Sequence, residues 1–224
     1  MNDIKCYIYH HLGLGDHLVC NGLVRELQKR LKTDVHVVVK RQNQNNVGRM
    51  YEDSNRIKLF PVDGDRQFLD FINSQPSCRL IKIGFEKCIA NKFDQSFYES
   101  ANIPFEKRWT SWYLQRDPEQ EQKILNELNI DGEFVFVHDE SSTGKYPLRI
   151  SSDLRQIRPI KMDCEESMFD WIGVIERAVD IHTISSSFVH LINSLELNNK
   201  LYFHNIKPEF GQFSLNQSWQ VINY

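Results

Sequence analysis

Strand-like and helix-like segments alternate along the whole chain of 224 residues, and this alternation restricts the fold more than any other feature. Short runs rich in β-branched and aromatic residues, such as 35–39 and 134–137, lie between segments whose apolar residues have helical spacing. Val19, Leu23 and Leu27 form such an apolar stripe in the first helical segment. The alternation is typical of parallel sheets covered by helices and predicts an α/β protein.

The alternation is interrupted near 115–130 and then begins again, so it forms two series of about 110 residues each. We expect two small Rossmann-like, doubly wound lobes at 1–117 and 118–224, and one continuous sheet is the alternative. Strands are predicted at 4–9, 34–39, 57–62, 79–85, 134–137, 156–161, 180–184, 200–203 and 219–222. Helices are predicted at 19–31, 68–72, 119–128, 169–178 and 189–195, loops at 10–16, 41–46 and 139–149, and an irregular aromatic-rich segment at 93–109.

Composition excludes several classes of function. Lysine and arginine total 27 and aspartate and glutamate total 30, which leaves a formal net charge of −3 and no basic surface for nucleic acid. The five cysteines include no CxxC pair, so neither a disulfide framework nor a zinc knuckle is indicated. The sequence has no apolar run of about 18 residues and no secretory leader, so we expect no transmembrane segment and a cytoplasmic location.

The first candidate site is the glycine-containing loop 10–17, between a predicted strand and a predicted helix. Gly13 and Gly15 allow close approach to a ligand, and a helix start favours an anion. Leu18 occupies the third glycine position of the dinucleotide fingerprint, which disfavours NAD binding. Asp16 has two interpretations: a helix N-cap, or a general base at the carboxyl end of a strand.

Three histidines crowd this loop. Adjacent histidines diverge in direction and no carboxylate-rich motif accompanies them, so a metal site is not expected there. His11 or His17 is a candidate for orienting Asp16 or a phosphate group. A second metal-like pattern, Asp-Gly-Asp at 63–65, follows a predicted strand, and a turn is the interpretation that we favour for it.

Two further candidate sites lie in the second half of the chain. The loop 139–149 contains hydroxyl groups and cations that suit a diphosphate, although it lacks the P-loop pattern and a solvated surface loop is the alternative. The turn 185–187 leads from a strand into a helix, where backbone N–H and hydroxyl groups favour phosphate. A serine N-cap and a core position for His190 are the alternatives at that turn.

Together these segments resemble the GT-B glycosyltransferases, in particular the lipopolysaccharide heptosyltransferase-like group, glycosyltransferase family 9. The matching features are Gly-x-Gly-Asp at 13–16, Lys-aromatic-Pro at 145–147, and a small-residue turn followed by His-Leu at 185–191. The last turn departs from the family pattern because it lacks the usual aspartate and glycine. These segments cover about a sixth of the chain, and their order along it makes the resemblance more specific than any single motif.

The resemblance implies two lobes facing across a cleft, with the acceptor side in 1–117 and the nucleotide-sugar side in 118–224. It implies that Asp16 deprotonates the acceptor hydroxyl and that Lys145 and the turn 185–187 hold the diphosphate. It also suggests that Glu165 lies near the nucleotide base or ribose, for which a first-turn helix acid is the alternative. The residues expected to bind the nucleotide sugar are Gly13, Gly15, His17, Ser141, Ser142, Thr143, Lys145, Arg149, Glu165, Ser185, Ser186, Ser187 and His190.

The expected function is therefore an inverting glycosyltransferase that transfers a sugar from a nucleoside-diphosphate sugar to a glycan hydroxyl, with Asp16 as its catalytic base. A helix start, Lys145 and Arg149 would stabilise the leaving diphosphate, so no metal and no cofactor is expected. The alternative is a non-catalytic nucleotide-sugar-binding subunit or partner protein of a glycan-assembly complex. The nucleotide base, the sugar, the acceptor and the oligomeric state stay open.

Overall fold

A computed structural model describes residues 4–75, 77–86, 88–159, 167–206 and 213–224. Contacts along the chain divide these residues into two compact units. The first unit contains residues 4–115 together with Phe213 and Ser214, and the second contains the remaining described residues from Arg116 onward. This division lies two residues before the expected boundary between 117 and 118.

The first unit has a four-stranded, fully parallel sheet. Its strands are β1 (Cys6–Tyr9), β2 (Val35–Lys40), β3 (Ile57–Val62) and β4 (Arg79–Lys82), in the spatial order β3-β2-β1-β4. Its helices are α1 (Leu14–Leu31), α2 (Gln44–Arg49), α3 (Asp65–Asn73), α4 (Phe93–Ser100) and α5 (Lys107–Thr110), with 3₁₀ turns at Arg41–Asn43 and Ala90–Lys92. All four residues of β1, the central strand, are buried.

The core of the first unit depends on a close contact between α1 and α5. A Cβ atom at Gly22 would collide with the backbone carbonyl of Lys107, so only glycine allows the two helices to approach this closely. The next residue, Arg108, is fully buried and forms an ion pair with the fully buried Asp94 of α4. The pairing compensates for burying two charges, since an unpaired charge at this position would strongly destabilise the fold.

The second unit has a five-stranded, fully parallel sheet in the order β11-β10-β9-β5-β8. Its strands are β5 (Phe134–His138), the small hairpin β6 (Glu140–Ser141) and β7 (Gly144–Lys145), β8 (Arg155–Ile157), β9 (Asp180–Thr183), β10 (Lys200–Asn205) and β11 (Trp219–Asn223). Its helices are α6 (Pro118–Leu128), α7 (Ile172–Arg177) and α8 (Ser187–Ile192), with a 3₁₀ turn at Met168–Trp171.

Several elements confirm the sequence pattern. The expected start of α6 at Asp117 is confirmed, because the Asp117 carboxylate accepts a hydrogen bond of 3.1 Å from the N–H of Gln120 and Pro118 occupies the first helical position. Strand β3 has the predicted bounds, and β9, β10 and β11 each differ from the prediction by one or two residues. The predicted α/β class is therefore confirmed.

Other elements differ from the prediction made from the sequence. The predicted loop 41–46 is instead a 3₁₀ turn followed by α2, and the segment 93–109 contains α4 and α5 rather than irregular structure. Helix α2 has few apolar residues, so it carries no helical periodicity for a pattern to detect. Strand β4 ends three residues early because Gly84 takes a φ of +81°, outside the strand region. The predicted strand 156–161 is observed at Arg155–Ile157, and residues 160 and 161 lie outside the described residues.

Each sheet reverses its direction of strand addition once. In the first unit the reversal lies between β1 and β4, and in the second it lies between β5 and β9. In open parallel sheets, ligands bind outside the carboxyl ends of the strands at such a reversal, because the loops there diverge and leave a crevice. The loops after these four strands are therefore the places where functional side chains are expected.

Candidate functional site

Asp16 lies at the reversal point of the first sheet, in the first turn of α1. The helix begins at Leu14, and Gly13 rather than Asp16 is the N-cap residue, so the N-cap interpretation of Asp16 is wrong. The Asp16 carboxylate instead reaches back and accepts a hydrogen bond from the N–H of Gly13. A Cβ atom at Gly13 would lie 2.6 Å from Asp16 Oδ2, so glycine at this position leaves room for the carboxylate.

The surroundings of Asp16 perturb the pKa of its carboxyl group. Burial raises the pKa of Asp16 to about 6, while the charge of His11 and the hydrogen bond from Gly13 act in the opposite direction. A carboxylate with this pKa is mostly ionised at neutral pH and accepts a proton more readily than an ordinary aspartate. Perturbed pKa values of this kind are concentrated at functional sites.

The loop after β4 meets the loop after β1 beside this carboxylate. His11 Nε2 donates a hydrogen bond of 2.6 Å to the carbonyl oxygen of Gly84. The His11 ring lies 4.7 Å from the ring of Phe85, and the ring of Phe85 stacks on that of Tyr9 at 4.8 Å. The two loops at the reversal point are thus joined by a hydrogen bond and by ring contacts.

His10 and His17 form a buried pair behind the loop. Both side chains are fully buried, and their ring centroids are 4.4 Å apart. Burial lowers the pKa of His10 to about 4 and that of His17 well below its usual range, so both rings are neutral at neutral pH. His17 was expected to bind the nucleotide sugar, but the structure leaves it no exposed surface for a ligand.

The second unit has a pocket of about 160 Å³ at the carboxyl ends of β5, β9 and β10. It brings together residues of the two candidate segments in this half of the chain, the loop 139–149 and the turn 185–187. Hydroxyl groups dominate its polar surface. Its lining residues are Ser141, Ser142, Thr143, Tyr146, Ile184, Ser185, His204 and Ile206.

Hydrogen bonds between side chains organise one wall of this pocket. Ser141 Oγ lies 2.9 Å from Thr143 Oγ1, which in turn lies 2.8 Å from the hydroxyl of Tyr146. A chain of hydroxyl groups can donate to a phosphate oxygen or exchange hydrogen bonds with a sugar hydroxyl. Tyr146 was not among the expected binding residues, although it follows the predicted Lys145 directly.

The two expected cations lie beside the pocket but do not line it in the part of the chain that the structure describes. Lys145 Nζ is exposed and lies 4.0 Å from Oδ1 of Asp139. The guanidinium of Arg149 lies over the ring of Tyr224 at 4.5 Å, and the backbone N–H of Arg149 donates to the Tyr224 hydroxyl at 2.7 Å. Arg149 thus contacts Tyr224 closely, whereas Lys145 is exposed and its ammonium group lies at the outer limit of an ion pair with Asp139.

Neutral histidines support the pocket from within the sheet. His182 Nδ1 lies 2.8 Å from His204 Nε2, and His204 Nδ1 lies 2.7 Å from the Tyr224 hydroxyl. Burial lowers the pKa of each of these histidines to about 4, so they act as hydrogen-bonding groups rather than as charges. The sequence pattern did not indicate His204, because the predicted strand ended at residue 203 and the observed strand continues to Asn205.

The three serines of the turn before α8 lie in different surroundings. Ser185 lines the pocket, whereas Ser186 Oγ lies 3.0 Å from Nδ1 of His138. Ser186 is the N-cap residue of α8 and Ser187 is the first helical residue. His190, which was expected to bind the nucleotide sugar, is almost fully buried and fits the alternative of a core histidine. Glu165, the remaining expected residue, lies outside the described residues.

The Asp-Gly-Asp segment at 63–65 has a structural role. Asp63 accepts a hydrogen bond of 3.1 Å from Arg41, and Asp65 accepts one of 2.6 Å from the Tyr9 hydroxyl. Within the described ranges, no three histidine, cysteine or acidic side chains converge as metal ligands would. No helix in those ranges combines the length and the apolar character that crossing a bilayer requires.

No protein-family model matches the chain, and a search of curated proteins finds no match. Solved structures do match it. Escherichia coli ADP-heptose lipopolysaccharide heptosyltransferase II superposes with a TM-score of 0.56 at 12% identity, over 98% of this chain and 90% of that one. A family 9 glycosyltransferase from Veillonella parvula DSM 2008 superposes with a TM-score of 0.58 at 9% identity, over 99% of this chain and 86% of that one. The dodecameric iron-containing heptosyltransferase TibC, in complex with ADP-D-β-D-heptose, superposes with a TM-score of 0.57 at 10% identity, over 96% of this chain and 62% of that one.

These superpositions define the class of fold. The chain has a GT-B-type fold of the heptosyltransferase kind, similar to that of glycosyltransferase family 9. The resemblance that the three sequence segments indicated is confirmed at the level of the fold. At identities of 9–12% the likeness concerns the fold alone, so the activity has to be argued from this chain's own residues.

Proposed function

We propose that this chain is an inverting glycosyltransferase that moves a sugar from a nucleoside-diphosphate sugar to a hydroxyl group of a glycan. The observation that carries the proposal is Asp16, a half-buried carboxylate with a pKa raised to about 6, at the carboxyl edge of the first sheet. An aspartate that only stabilises a helix start can do so at the surface, without a buried position and a raised pKa.

In this proposal Asp16 is the general base that activates the acceptor hydroxyl group. A sugar hydroxyl is a weak nucleophile, and Asp16 removes its proton while the oxygen forms a bond to the anomeric carbon. The bond between the anomeric carbon and the diphosphate oxygen breaks, and the nucleoside diphosphate leaves with the electron pair. Attack opposite the leaving group inverts the anomeric centre. A positioned base of this kind accelerates such a reaction by about 10²–10⁴-fold.

The hydroxyl-lined pocket of the second unit is the donor site in this proposal. Ser141, Thr143 and Ser185 offer hydrogen bonds to phosphate or ribose oxygens. Lys145 and Arg149, beside the pocket, contribute positive charge toward the leaving diphosphate. One structural neighbour is a complex with ADP-D-β-D-heptose, so ADP-sugars are the first donors to test on this chain.

A thermal-shift screen with ADP, UDP, GDP, dTDP and CMP tests the donor site. A ligand that binds only the folded state raises the apparent stability, by about 2.7 kcal/mol when its concentration is a hundred times its Kd. We expect one of these nucleotides to raise the melting temperature, and a smaller rise in the Ser185→Ala variant. The absence of any shift would contradict the donor site.

Release of free nucleoside diphosphate separates an enzyme from a binding protein. We expect release when the stabilising nucleotide's sugar conjugate is mixed with a glycan acceptor, and an unchanged rate in the presence of EDTA. A nucleotide that stabilises the protein without any turnover of its sugar conjugate would favour the non-catalytic binding subunit. Loss of activity in EDTA would show that a metal ion takes part.

A further inference from the structure

Phe85 is an exposed aromatic residue in the loop after β4, at the reversal point of the first sheet. Its side chain is 36% exposed, which makes it the most exposed of the phenylalanines that the structure describes. A phenylalanine at the surface is informative when it lies at a position where a ligand is expected, because burial is the default for so large an apolar side chain.

Contacts within the unit hold the Phe85 ring in place. The ring stacks on that of Tyr9 and also contacts that of His11. Tyr9 is fixed in turn by the hydrogen bond that its hydroxyl donates to Asp65, and His11 is fixed by the one that it donates to the carbonyl oxygen of Gly84. A ligand that binds to a ring fixed in this way loses little affinity to the ordering of the side chain.

The turn that contains Phe85 borders a small cavity. Gly84 has a φ of +81°, and a Cβ atom there would collide with the ring of Phe97, so this turn requires glycine. The cavity has a volume of about 140 Å³. This is below the about 300–1,000 Å³ of pockets that enclose a whole ligand, so the cavity suits one unit of a longer ligand. Its lining residues are Lys82, Gly84, Phe85, Glu86 and Ser100.

Lys82 and Glu86 give this cavity one positive and one negative charge. Within the described ranges, neither side chain forms an ion pair with the other or with a third residue. The ammonium group donates hydrogen bonds and the carboxylate accepts them, so the two suit a ligand whose groups do both, as hydroxyl groups do. A phosphate or carboxylate group would be attracted by Lys82 but repelled by Glu86.

The exposed ring adds a second requirement on the ligand. The face of an aromatic ring is partly negative, so it attracts the C–H bonds on the apolar face of a pyranose ring. A pyranose that lies on Phe85 keeps its hydroxyl groups at its edge, where they can exchange hydrogen bonds with Lys82 and Glu86. An apolar peptide side chain would cover the ring but would offer the two charged groups no hydrogen bonds.

We propose that the cavity lined by Lys82, Gly84, Phe85, Glu86 and Ser100, the Phe85 subsite, binds an uncharged pyranose unit of the glycan acceptor. Phe85 is its stacking platform. The inference rests on the proposed function, since it names the class of acceptor. The subsite lies in the loop after β4, which the hydrogen bond between His11 and Gly84 joins to the loop that leads to Asp16. Binding of the sugar can be measured without a donor and without turnover.

The test is an NMR titration of protein labelled with ¹³C in its phenylalanine rings. The Phe85 resonance is the one that disappears in the Phe85→Leu variant. The probes are the methyl α-D-pyranosides of glucose, galactose and mannose, together with methyl α-D-glucuronide, at millimolar concentrations. We expect at least one neutral glycoside to shift the Phe85 resonance in a saturable way, and the glucuronide to bind no more tightly than the glucoside.

Variants separate the ring from the charges. We expect Phe85→Leu to weaken binding of the neutral glycoside about tenfold at an unchanged melting temperature, and Phe85→Tyr to retain it. Because Phe85→Leu lacks the reporter resonance, its affinity is measured by saturation transfer to the glycoside. Leu69→Ala is the matched control, because Leu69 is 37% exposed in the same unit but does not line the cavity. Glu86→Gln should bind the glucuronide more tightly than the glucoside, since Lys82 is then unopposed.

Three outcomes would overturn the inference. They are no shift of the Phe85 resonance with any neutral glycoside, wild-type affinity in Phe85→Leu, and tighter binding of the glucuronide than of the glucoside by the wild type. Each is measured without a nucleotide sugar. Failure of the proposed function would be seen differently: the glycoside would bind at Phe85, but no nucleoside diphosphate would be released from any nucleotide sugar.

Discussion

The reversal points of the two sheets occupy equivalent positions in their sheets but present different functional groups. In the first unit the partly buried carboxylate of Asp16 follows β1, and Gly84, in the loop after β4, packs against Phe97. In the second unit, hydroxyl groups line an open pocket, and Gly144, near its rim, has no atom within 4 Å of where a Cβ would lie. The fold therefore determines where a site forms, and the side chains determine what it does.

The proposed function assigns a general base to the first region and a binding pocket to the second. A general base has to be held in a fixed position, because proton transfer requires hydrogen-bond distance to the reacting group. A polar ligand pocket needs hydrogen-bonding groups that are exposed to the ligand. The neutral histidines His182 and His204 support such a pocket without adding charge.

The largest effects are expected from two glycine substitutions. Gly84→Ala combines a positive φ with a collision against Phe97, so it should lower the free energy of unfolding by about 3 kcal/mol. Gly144→Ala has a φ of +135° but open space around it, so backbone strain alone should cost about 2 kcal/mol. Urea denaturation of both variants measures the difference. Equal costs would mean that the loop beside Asp16 is no more tightly packed than the pocket hairpin.

Acid should destabilise the protein through its buried histidines. The pKa of His10 is lowered from 6.5 to about 4 on folding, so the unfolded state binds more protons between these values. Stability is therefore fully present above about pH 6.5 and is lost as the pH falls toward 4. His10 alone should lower the free energy of unfolding by about 2 kcal/mol between pH 7 and pH 5.

Urea denaturation at several pH values tests this dependence. The His10→Gln variant should show a smaller loss between pH 7 and pH 5 than the wild type, because it has no imidazole to protonate on unfolding. His138, His182 and His204 have the same lowered pKa of about 4, so the second unit should also lose stability in acid. A stability that is constant across this pH range would show that the histidines are not buried as described.

The smallest effect is expected at the pocket that is proposed as the donor site. Ser185→Ala removes one neutral hydrogen bond to a ligand, so the affinity for the stabilising nucleotide should fall about fivefold, or about 1 kcal/mol. Ser100→Ala is the matched control, because Ser100 lies in the first unit. Titration calorimetry measures both variants. If the two variants bound the nucleotide equally well, the pocket would not be the donor site.

Sequence patterns predicted much of the fold, and they drew attention to the segment that contains Asp16. Periodic apolar residues located most strands and α1, and the glycines at 13 and 15 singled out Asp16. The pattern missed α4 because this helix is short and its buried residues include the polar Asp94 and Ser96 as well as Phe97 and Tyr98. The position of Asp16, as an N-cap or as the third helical residue, depends on the residue at which α1 begins. Helix boundaries are weakly encoded in the sequence.

The pocket of the second unit was harder to predict. His204 and Tyr224 are distant in sequence from the loop 139–149, and they meet it because the sheet order places β10 and β11 beyond β9. The orientation of Lys145 toward Asp139 also depends on the hairpin formed by β6 and β7, which no sequence period indicated. Side-chain direction in such loops is set by tertiary contacts, which local patterns do not contain.

The most direct test of the account compares Asp16→Asn with Asp63→Asn, an exposed aspartate of the same unit that is paired with Arg41. Release of nucleoside diphosphate and nucleotide affinity are measured for both variants and the wild type. The account predicts that Asp16→Asn lowers turnover by about 10²–10⁴-fold with unchanged nucleotide affinity and intact folding, while Asp63→Asn retains full turnover. Wild-type turnover in a folded Asp16→Asn variant would contradict the account.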